Sequence, residues 1–428
     1  MQMNEKLLQQ IWAHQYFNTR ELQLSDGSAL EIISPGKFNS NQGPDFLEAR
    51  LRIDGMQLAG NIEIHVLASD WKRHEHDADP NFRNIILHVV WINDWSVEYT
   101  RLPTLELQPR VAHGLLEKYA GWILNKQFIP CGDQIARAEK NSMAHWLEQL
   151  AAERFQRKHL AITSMLDRNN SHWEEVLWWL LARNFGYSIN SQAFETIARS
   201  VPYTIMLRHK PMVIQLEAIL FGQAGLLSCK LNDEYAVMLQ QEYRFYQKKY
   251  QLKPAVVPIH FLRMRPVNFP TIRLAQLAML ISTAPPLFNL IREGDSLKML
   301  FRQFEVTAND YWHYRYVFDQ PSAFRPKKLG DTMIQNILMN TVLPAMYSYG
   351  VMHDNHKLSA KAMEWLCQMP AEKNRILLGY EQLGINASNA LEGQALLELK
   401  SNYCDQQRCL DCAIGKQLLQ EQHALSSS

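Results

Sequence analysis

The sequence contains no run of about 20 uncharged apolar residues, so no transmembrane helix is expected. Its compact apolar run ILHVVWI is too short to span a bilayer and suits a buried strand. The start, MQMNEKLLQQIWAHQYF, has no continuous apolar stretch, so a signal peptide is not expected. The expectation is a cytoplasmic soluble protein with no membrane partner. Excess charge is lacking too. Lys and Arg number 44 against 43 Asp and Glu, a net charge of +1. That excludes a grossly basic nucleic-acid binder, but not a local basic patch. Six cysteines in 428 residues do not make a disulfide scaffold. In a reducing compartment, clustered cysteines read instead as metal ligands. No fixed repeat period recurs, which argues against a repeat array.

What is present supports large cores. The apolar share is 47%, and eleven Trp and sixteen Tyr argue against disorder. The length suggests roughly two or three domains.

The first 111 residues read as mixed α/β. LLQQIWAHQYF has helical apolar spacing, and ALEIISPGKF follows as a strand. FLEARLRIDG and QLAGNIEIHV read as two strands joined at Asp54-Gly55, a strong hairpin signal. NIILHVVWI is a central strand, and PTLELQP an edge strand. Residues 112–428 read as an all-α domain. Segments of helical periodicity succeed one another there: WEEVLWWLLARNFG, VIQLEAILFGQAG, EYAVMLQQEYRFYQKKY, TIRLAQLAMLIS and AKAMEWLCQM. The fold class expected is α+β, a sheet domain followed by a large helical domain.

The hairpin carries candidate chemistry. Phosphodiester hydrolysis needs a divalent metal, an activated water and stabilisation of charge on phosphate. Magnesium prefers carboxylate oxygens. Asp45 at the start of one strand and Glu63 on its hairpin partner can meet at one edge of the sheet. His65 shares a strand face with Glu63, because side chains two apart point the same way. Glu5, ahead of the first helical run, is the candidate for a third acid.

Pro44-Asp45, then Glu63-x-His65 after a short hairpin, resembles the PD-(D/E)xK nuclease core, the restriction-endonuclease-like fold. The order of one helix then three strands agrees. The resemblance implies a nuclease that uses magnesium or manganese, with Asp45, Glu63, His65 and Glu5 at its catalytic site. The departure is His65, where the motif has lysine to position water and stabilise negative charge. A histidine does this when protonated or when donating from a neutral ring, and its pKa lies near neutrality. Retained catalysis is therefore open. The whole chain also resembles an uncharacterised bacterial family, a domain of unknown function. That resemblance rests on GPDF, GNIEIHV, SDW, NIILHVVW, PTLEL, FIPC, EAILFGQAG, RMRPVNFPTIRLAQ and CLDCAIG.

Three further features bear on function. His74 and His76 alternate as metal ligands could, in a polar loop that borders the hairpin or is a solvated turn. His88, inside an apolar strand, reads as a core histidine, although it could face the same site as His65. Cys404, Cys409 and Cys412 lie within nine residues and can curl round one ion, with Cys131 as a candidate fourth ligand and His423 as a second candidate. Zinc or an iron–sulfur cluster would suit them, or they are unliganded thiols. Cys229 and Cys367, in helical apolar settings, read as core.

Finally, Tyr243 to Arg292 holds no Asp or Glu. Lys248, Lys249, Arg263, Arg265 and Arg273 fall there among interleaved aromatics, a pattern that suits phosphates and unpaired bases. Arg265 and Arg273 would flank a helix start at Pro270 or Thr271, itself favourable to anions. Solvated helix faces explain the lysines equally well. The function expected is a metal-dependent nuclease or nuclease-derived protein with DNA or RNA as partner. The alternatives are a non-catalytic nucleic-acid binder on the same scaffold, or a scaffold without such a role.

Overall fold

The structure, a computed structural model, describes residues 3–39, 42–74, 76, 79–95, 102–111, 113–124, 127–255, 257–292 and 296–425. The chain divides into two compact units. The first is Met1–Trp146 with Leu383–Ile385 and Leu399–Ser428; the second is Leu147–Gln382 with Asn386–Glu398. From the sequence the division fell at residue 111, with all later residues in one helical domain. The contacts instead give residues 112–146 and the cysteine-bearing C-terminus to the unit that holds the sheet.

Helix α1 (Glu5–Ala13) opens the first unit. The Asn4 side chain caps it by accepting from the Leu7 amide at 2.9 Å, and Glu5 sits in its first turn, where a helix dipole favours an acid. Leu7, Leu8, Ile11 and Trp12 form its buried stripe. The strands are β1 (Leu22–Gln23), β2 (Ala29–Ser34), β3 (Lys37–Phe38), β4 (Phe46–Ile53), β5 (Met56–Leu67), β6 (Ile85–Ile92) and β7 (Thr104–Glu106). They form one mixed sheet in the order β1-β2-β4-β5-β6-β7, with β3 also paired to β4. Strands β1 to β5 pair antiparallel, whereas β5–β6 and β6–β7 are parallel.

The β4–β5 hairpin turns at Asp54 (φ 44°) and Gly55 (φ 84°), two left-handed residues as a type I′ turn requires. The Asp54 carboxylate also accepts from the Ala29 amide at 2.8 Å, which ties the turn to β2. In β5, Ile62, Glu63, Ile64 and His65 are all buried, so both faces of this strand are covered there. The strand therefore carries its polar pair into the interior. A short helix α2 (Asp70–Arg73) follows β5, and a single 3-10 turn (Pro80–Phe82) leads into β6. Helix α3 (His113–Leu124), the start of α4 (Lys140–Asp167) and the last helix, Ala413–Leu425, complete the unit.

The second unit is helical apart from one short two-stranded piece, Arg315–Val317 with Gln320–Pro321, that periodicity did not signal. Its helices include α5 (Trp173–Phe185), α6 (Tyr187–Arg199), α7 (Tyr203–Arg208), α8 (Val213–Gln223), α9 (Glu234–Tyr250) and α10 (Pro270–Thr283). Helices α8 and α9 approach closely because residue 222 is glycine. A Cβ there would stand 2.1 Å from the Tyr243 ring. Buried at the centre are Trp178, Phe221 and Trp312, the last two stacked at 5.1 Å. Among the described residues, no helix is long and apolar enough to cross a membrane.

Candidate metal and hydrolytic site

Asp45 and Glu63 interlock. The Asp45 amide donates to Glu63 Oε2 at 3.1 Å, while Asp45 Oδ2 accepts from the Ile64 amide at 3.1 Å. Asp45 Oδ1 accepts from Gln9 Nε2 at 2.8 Å, so α1 holds the same carboxylate from the other side. Burial pushes the Asp45 carboxyl up to about 6, and the Glu5 charge adds to it. Burial, then the Asp45 charge, then Glu5, pushes Glu63 up to about 9. The three acids expected from the sequence thus lie within electrostatic reach of one another. Gln9, which fixes the orientation of Asp45, carried no signal in the sequence.

Three imidazoles converge beside Glu63. His65 Nε2 stands 3.2 Å from His74 Nδ1 and 3.3 Å from His76 Nε2. One ring nitrogen from each of these residues lies within 4.8 Å of the other two. Glu63 Oε1 is 3.7 Å from His65 Nε2 and 3.5 Å from His76 Nε2. His65 is buried, His76 half-buried and His74 exposed, so the cluster runs from the sheet out to solvent. The loop that carries the two outer rings is fixed locally. Asp70 accepts from the Leu67 amide at 3.2 Å and pairs with Arg73 at 2.9 Å. The His76 ring stacks on Phe82 at 3.9 Å and meets Trp71 edge-on at 5.1 Å. Glu75 and Asp77, between and beside these histidines, lie outside the described residues.

Behind the cluster, His65 Nδ1 meets His88 Nε2 at 2.9 Å, with both rings fully buried. The register explains the pair: β6 runs parallel to β5 with His88 opposite Glu63. His88 Nδ1 is buried with no hydrogen-bond partner among the described residues. Burial and neighbouring histidines hold both rings well below the ordinary histidine value, so both are neutral. The HxH spacing of His74 and His76 was legible, but not that their rings return to Glu63.

A family model described as protein of unknown function (DUF2851) matches residues 5–375. The chain belongs to this family. No curated protein and no solved structure matches it. The family match takes in Glu5 and every other residue of the acid–histidine cluster, and Cys131, but stops short of Cys404.

The cysteines lie in the same unit, but among the described residues no three of their sulfurs come within 4.8 Å of one another, as the three histidine nitrogens do. Burial pushes the Cys131 thiol up, and the thiols of Cys404, Cys412 and Cys409 add to that shift, so all four lie within electrostatic reach. Cys131, Cys409 and Cys412 are buried and Cys404 is half-buried. The amides of Ile414 and Gly415 point at the Cys412 sulfur, and the buried Trp146 indole, with no other partner among the described residues, faces it. A Cβ at Gly415 would lie 2.1 Å from the Cys409 carbonyl oxygen, so the turn through CLDCAIG requires glycine. The His423 side chain lies outside the described residues. Cys229 and Cys367 are exposed, not core. Cys229 falls beyond the end of α8, and Cys367 on the outer side of the helix His356–Gln368.

The basic stretch divides in two. Lys248, Lys249, Arg263 and Arg265 are exposed. Lys249 lies over the rings of Phe245 and Tyr250 at 5.7 and 5.2 Å. Arg273 is instead 7% exposed, bonded to Gln276 Oε1 at 2.9 Å and Asn268 Oδ1 at 2.6 Å. It is an interior residue, and it does not reach a surface ligand. The start of α10 at Pro270 agrees with the sequence, but Pro270, Thr271 and Ile272 are buried too, so that helix end offers no open anion site. Lys327 of the basic loop RPKKLG is likewise buried, with its ammonium on the His313 and Arg325 carbonyls at 3.4 and 3.1 Å.

Proposed function

We propose that the protein is a metal-dependent phosphodiesterase acting on nucleic acid. The observation that carries this is the Asp45–Glu63 interlock, in which a half-buried carboxylate just before β4 and a buried one on β5 meet beside a helix bearing Glu5. The order of one helix, antiparallel strands and then a parallel strand β6 supports it. A divalent ion at such a site supplies Lewis acidity and lowers the pKa of a bound water toward neutrality. Glu63 would be the shared carboxylate ligand. Asp45, held on both oxygens by Gln9 and the Ile64 amide, would orient the attacking water with its remaining lone pairs. Glu5 would add to the negative field that retains the cation. Lys248, Lys249, Arg263 and Arg265 are the exposed cations available for phosphate contacts. The four cysteines would hold zinc or an iron–sulfur cluster as a clasp, with every position filled by protein and hence no catalytic role.

The test is cleavage of labelled single- and double-stranded DNA and RNA oligonucleotides by purified protein with magnesium, manganese or zinc. Wild type should cut, and Asp45→Ala and Glu63→Ala should not. No cleavage with any ion, or equal cleavage by the variants, sinks the proposal. Salt-sensitive binding without cleavage would then favour the non-catalytic alternative. Alanine at Lys248, Lys249, Arg263 and Arg265 together should weaken binding; unchanged affinity removes these residues from the nucleic-acid surface.

A further inference from the structure

The nuclease resemblance implies magnesium, and the donor atoms at this site do not suit it. Magnesium demands oxygen ligands at about 2.0–2.1 Å in octahedral geometry, which sets neighbouring donors about 2.9 Å apart. Here the converging atoms are imidazole nitrogens, the ligands of borderline transition ions. A tetrahedral ion with nitrogen ligands at about 2.0–2.1 Å sets its donors about 3.3 Å apart. The observed nitrogen pairs are 3.2 and 3.3 Å apart, and Glu63 Oε1 stands 3.5 and 3.7 Å from two of the nitrogens.

We propose that Glu63, His65, His74 and His76 form a binding site for a transition-metal ion of the zinc type, and that His65 serves as a metal ligand instead of standing in for the motif's lysine. The proposal deepens the hydrolase reading of the same residues. Its catalytic meaning rests on that reading, and metal binding itself does not.

His65 Nε2 faces two other ring nitrogens and a carboxylate oxygen at once. His65 Nε2 can form a hydrogen bond with only one of these three neighbours, so it has more polar neighbours than hydrogen bonding uses. A cation between the three ring nitrogens would satisfy all of them, with Glu63 Oε1 on the His65 and His76 side. The atoms behind the cluster have the arrangement that a metal ligand needs. A ligating histidine donates its other N–H to a partner that fixes tautomer and ring orientation. His65 presents Nδ1 to His88 Nε2 at 2.9 Å for that purpose. His88 is thus a positioning residue. His76 is fixed by Phe82 and Trp71, so its ring is oriented before any ion arrives. The exposed ring of His74 gives the ion a path from solvent, and it leaves the outer side open to water or a phosphate oxygen. Three protein nitrogens and one carboxylate would fill a tetrahedral shell, so a water or phosphate oxygen would enter from the His74 side as a fifth ligand.

The test is the zinc content of full-length protein after chelator treatment, reloading with a slight molar excess of zinc over all sites and dialysis against excess magnesium. Wild type is compared with the His74→Ala, His76→Ala double variant. These two side chains lie on the outer, loop side of the cluster, and circular dichroism checks the fold; Glu63→Gln is the second variant should the double one fail to fold. The variant should retain one zinc ion per chain fewer than wild type, and the cysteine cluster cancels in the difference. Equal zinc content, or displacement of that zinc by magnesium, overturns the proposal. If the ion is lost in the variant yet zinc-loaded wild type cuts no phosphodiester, the metal site stands and the hydrolase reading fails.

Discussion

The contact between His65 Nδ1 and His88 Nε2 is the most economical place to test the site, because metal affinity and fold stability respond to it differently. His88→Leu removes the partner of a buried ring nitrogen at 2.9 Å. A neutral hydrogen bond of this type contributes about 1 kcal/mol, and the stranded His65 Nδ1 adds a desolvation cost. Against this, His88 Nδ1 is already buried without a partner in the wild type, so replacing it with an apolar group recovers a similar amount. The apoprotein should therefore change in stability by only about 1 kcal/mol. Zinc affinity should fall roughly 10- to 100-fold, the usual effect of losing a partner behind a ligand. Zinc at about 100 times its wild-type Kd stabilises the wild type by about 2.7 kcal/mol, and a variant with 100-fold weaker affinity by only about 0.4 kcal/mol. Paired denaturant titrations with and without zinc, alongside competition with a chelating indicator, give both quantities. A variant with wild-type zinc affinity would refute the positioning role. One with weakened affinity but a stability loss of several kcal/mol would show that His88 acts through the fold.

Three other outcomes follow from the packing. Glu217 is fully buried, accepts from Tyr235 Oη at 2.7 Å and from Trp312 Nε1 at 3.2 Å, and is raised by burial from its ordinary value of 4.5 to about 7. The folded form holds this proton more tightly than the unfolded chain, so stability is full below about pH 4.5 and falls by about 3 kcal/mol as pH rises to 7; Glu217→Gln should remove that part of the slope in denaturant melts, and an unchanged slope refutes the assignment. Arg273→Ala breaks two charged hydrogen bonds inside the helical unit and should cost about 2–3 kcal/mol of stability, with nucleic-acid affinity of the folded variant unchanged; a selective loss of affinity in gel-shift titrations would return Arg273 to the binding surface. On the proposed cysteine clasp, Cys131→Ser should lower both the bound metal and the thermal midpoint; unchanged metal content by elemental analysis removes Cys131 from the ligand set.

Local chemistry made much of the fold legible. Asp54-Gly55 announced the hairpin because both residues accept the left-handed backbone of its turn. The apolar stripe of α1 and the runs that became α5, α8, α9 and α10 are visible from periodicity alone. The strand pattern also placed Glu63 and His65 on one face. What stayed hidden depends on partners distant in the chain or on the whole surroundings of an element. That the last thirty residues return to the sheet unit follows from packing that no local pattern encodes. Arg273 was read as a surface cation from its charge. Helix α10 is apolar nearly all round, so residue 273 has no polar face to occupy and bonds Gln276 and Asn268 instead. The alternation of His74 and His76 was plain, but the curl that turns both rings toward His65 depends on Asp70 closing the end of β5 and on Phe82 stacking under His76.

A lysine at position 65 would put an ammonium in a pocket that already holds three imidazoles. Its charge would repel any cation there, and among the described residues Glu63 is the acid beside it to pair with. Histidine changes the role of the position. A neutral ring supplies a lone pair where lysine supplies a charge, and the positive charge then comes from the ion. Two features of the chain accompany a histidine there: a partner behind the ring in His88, and two more imidazoles from the following loop. A histidine that had merely drifted into a retired lysine position requires neither of them. Restoring the motif with His65→Lys therefore should not produce a magnesium enzyme. It should abolish zinc retention while leaving the Asp45–Glu63 interlock intact, since that interlock uses the Asp45 and Ile64 amides and no atom of residue 65. Magnesium-dependent cleavage gained by this variant would show that the histidines are incidental and the carboxylates alone define the site.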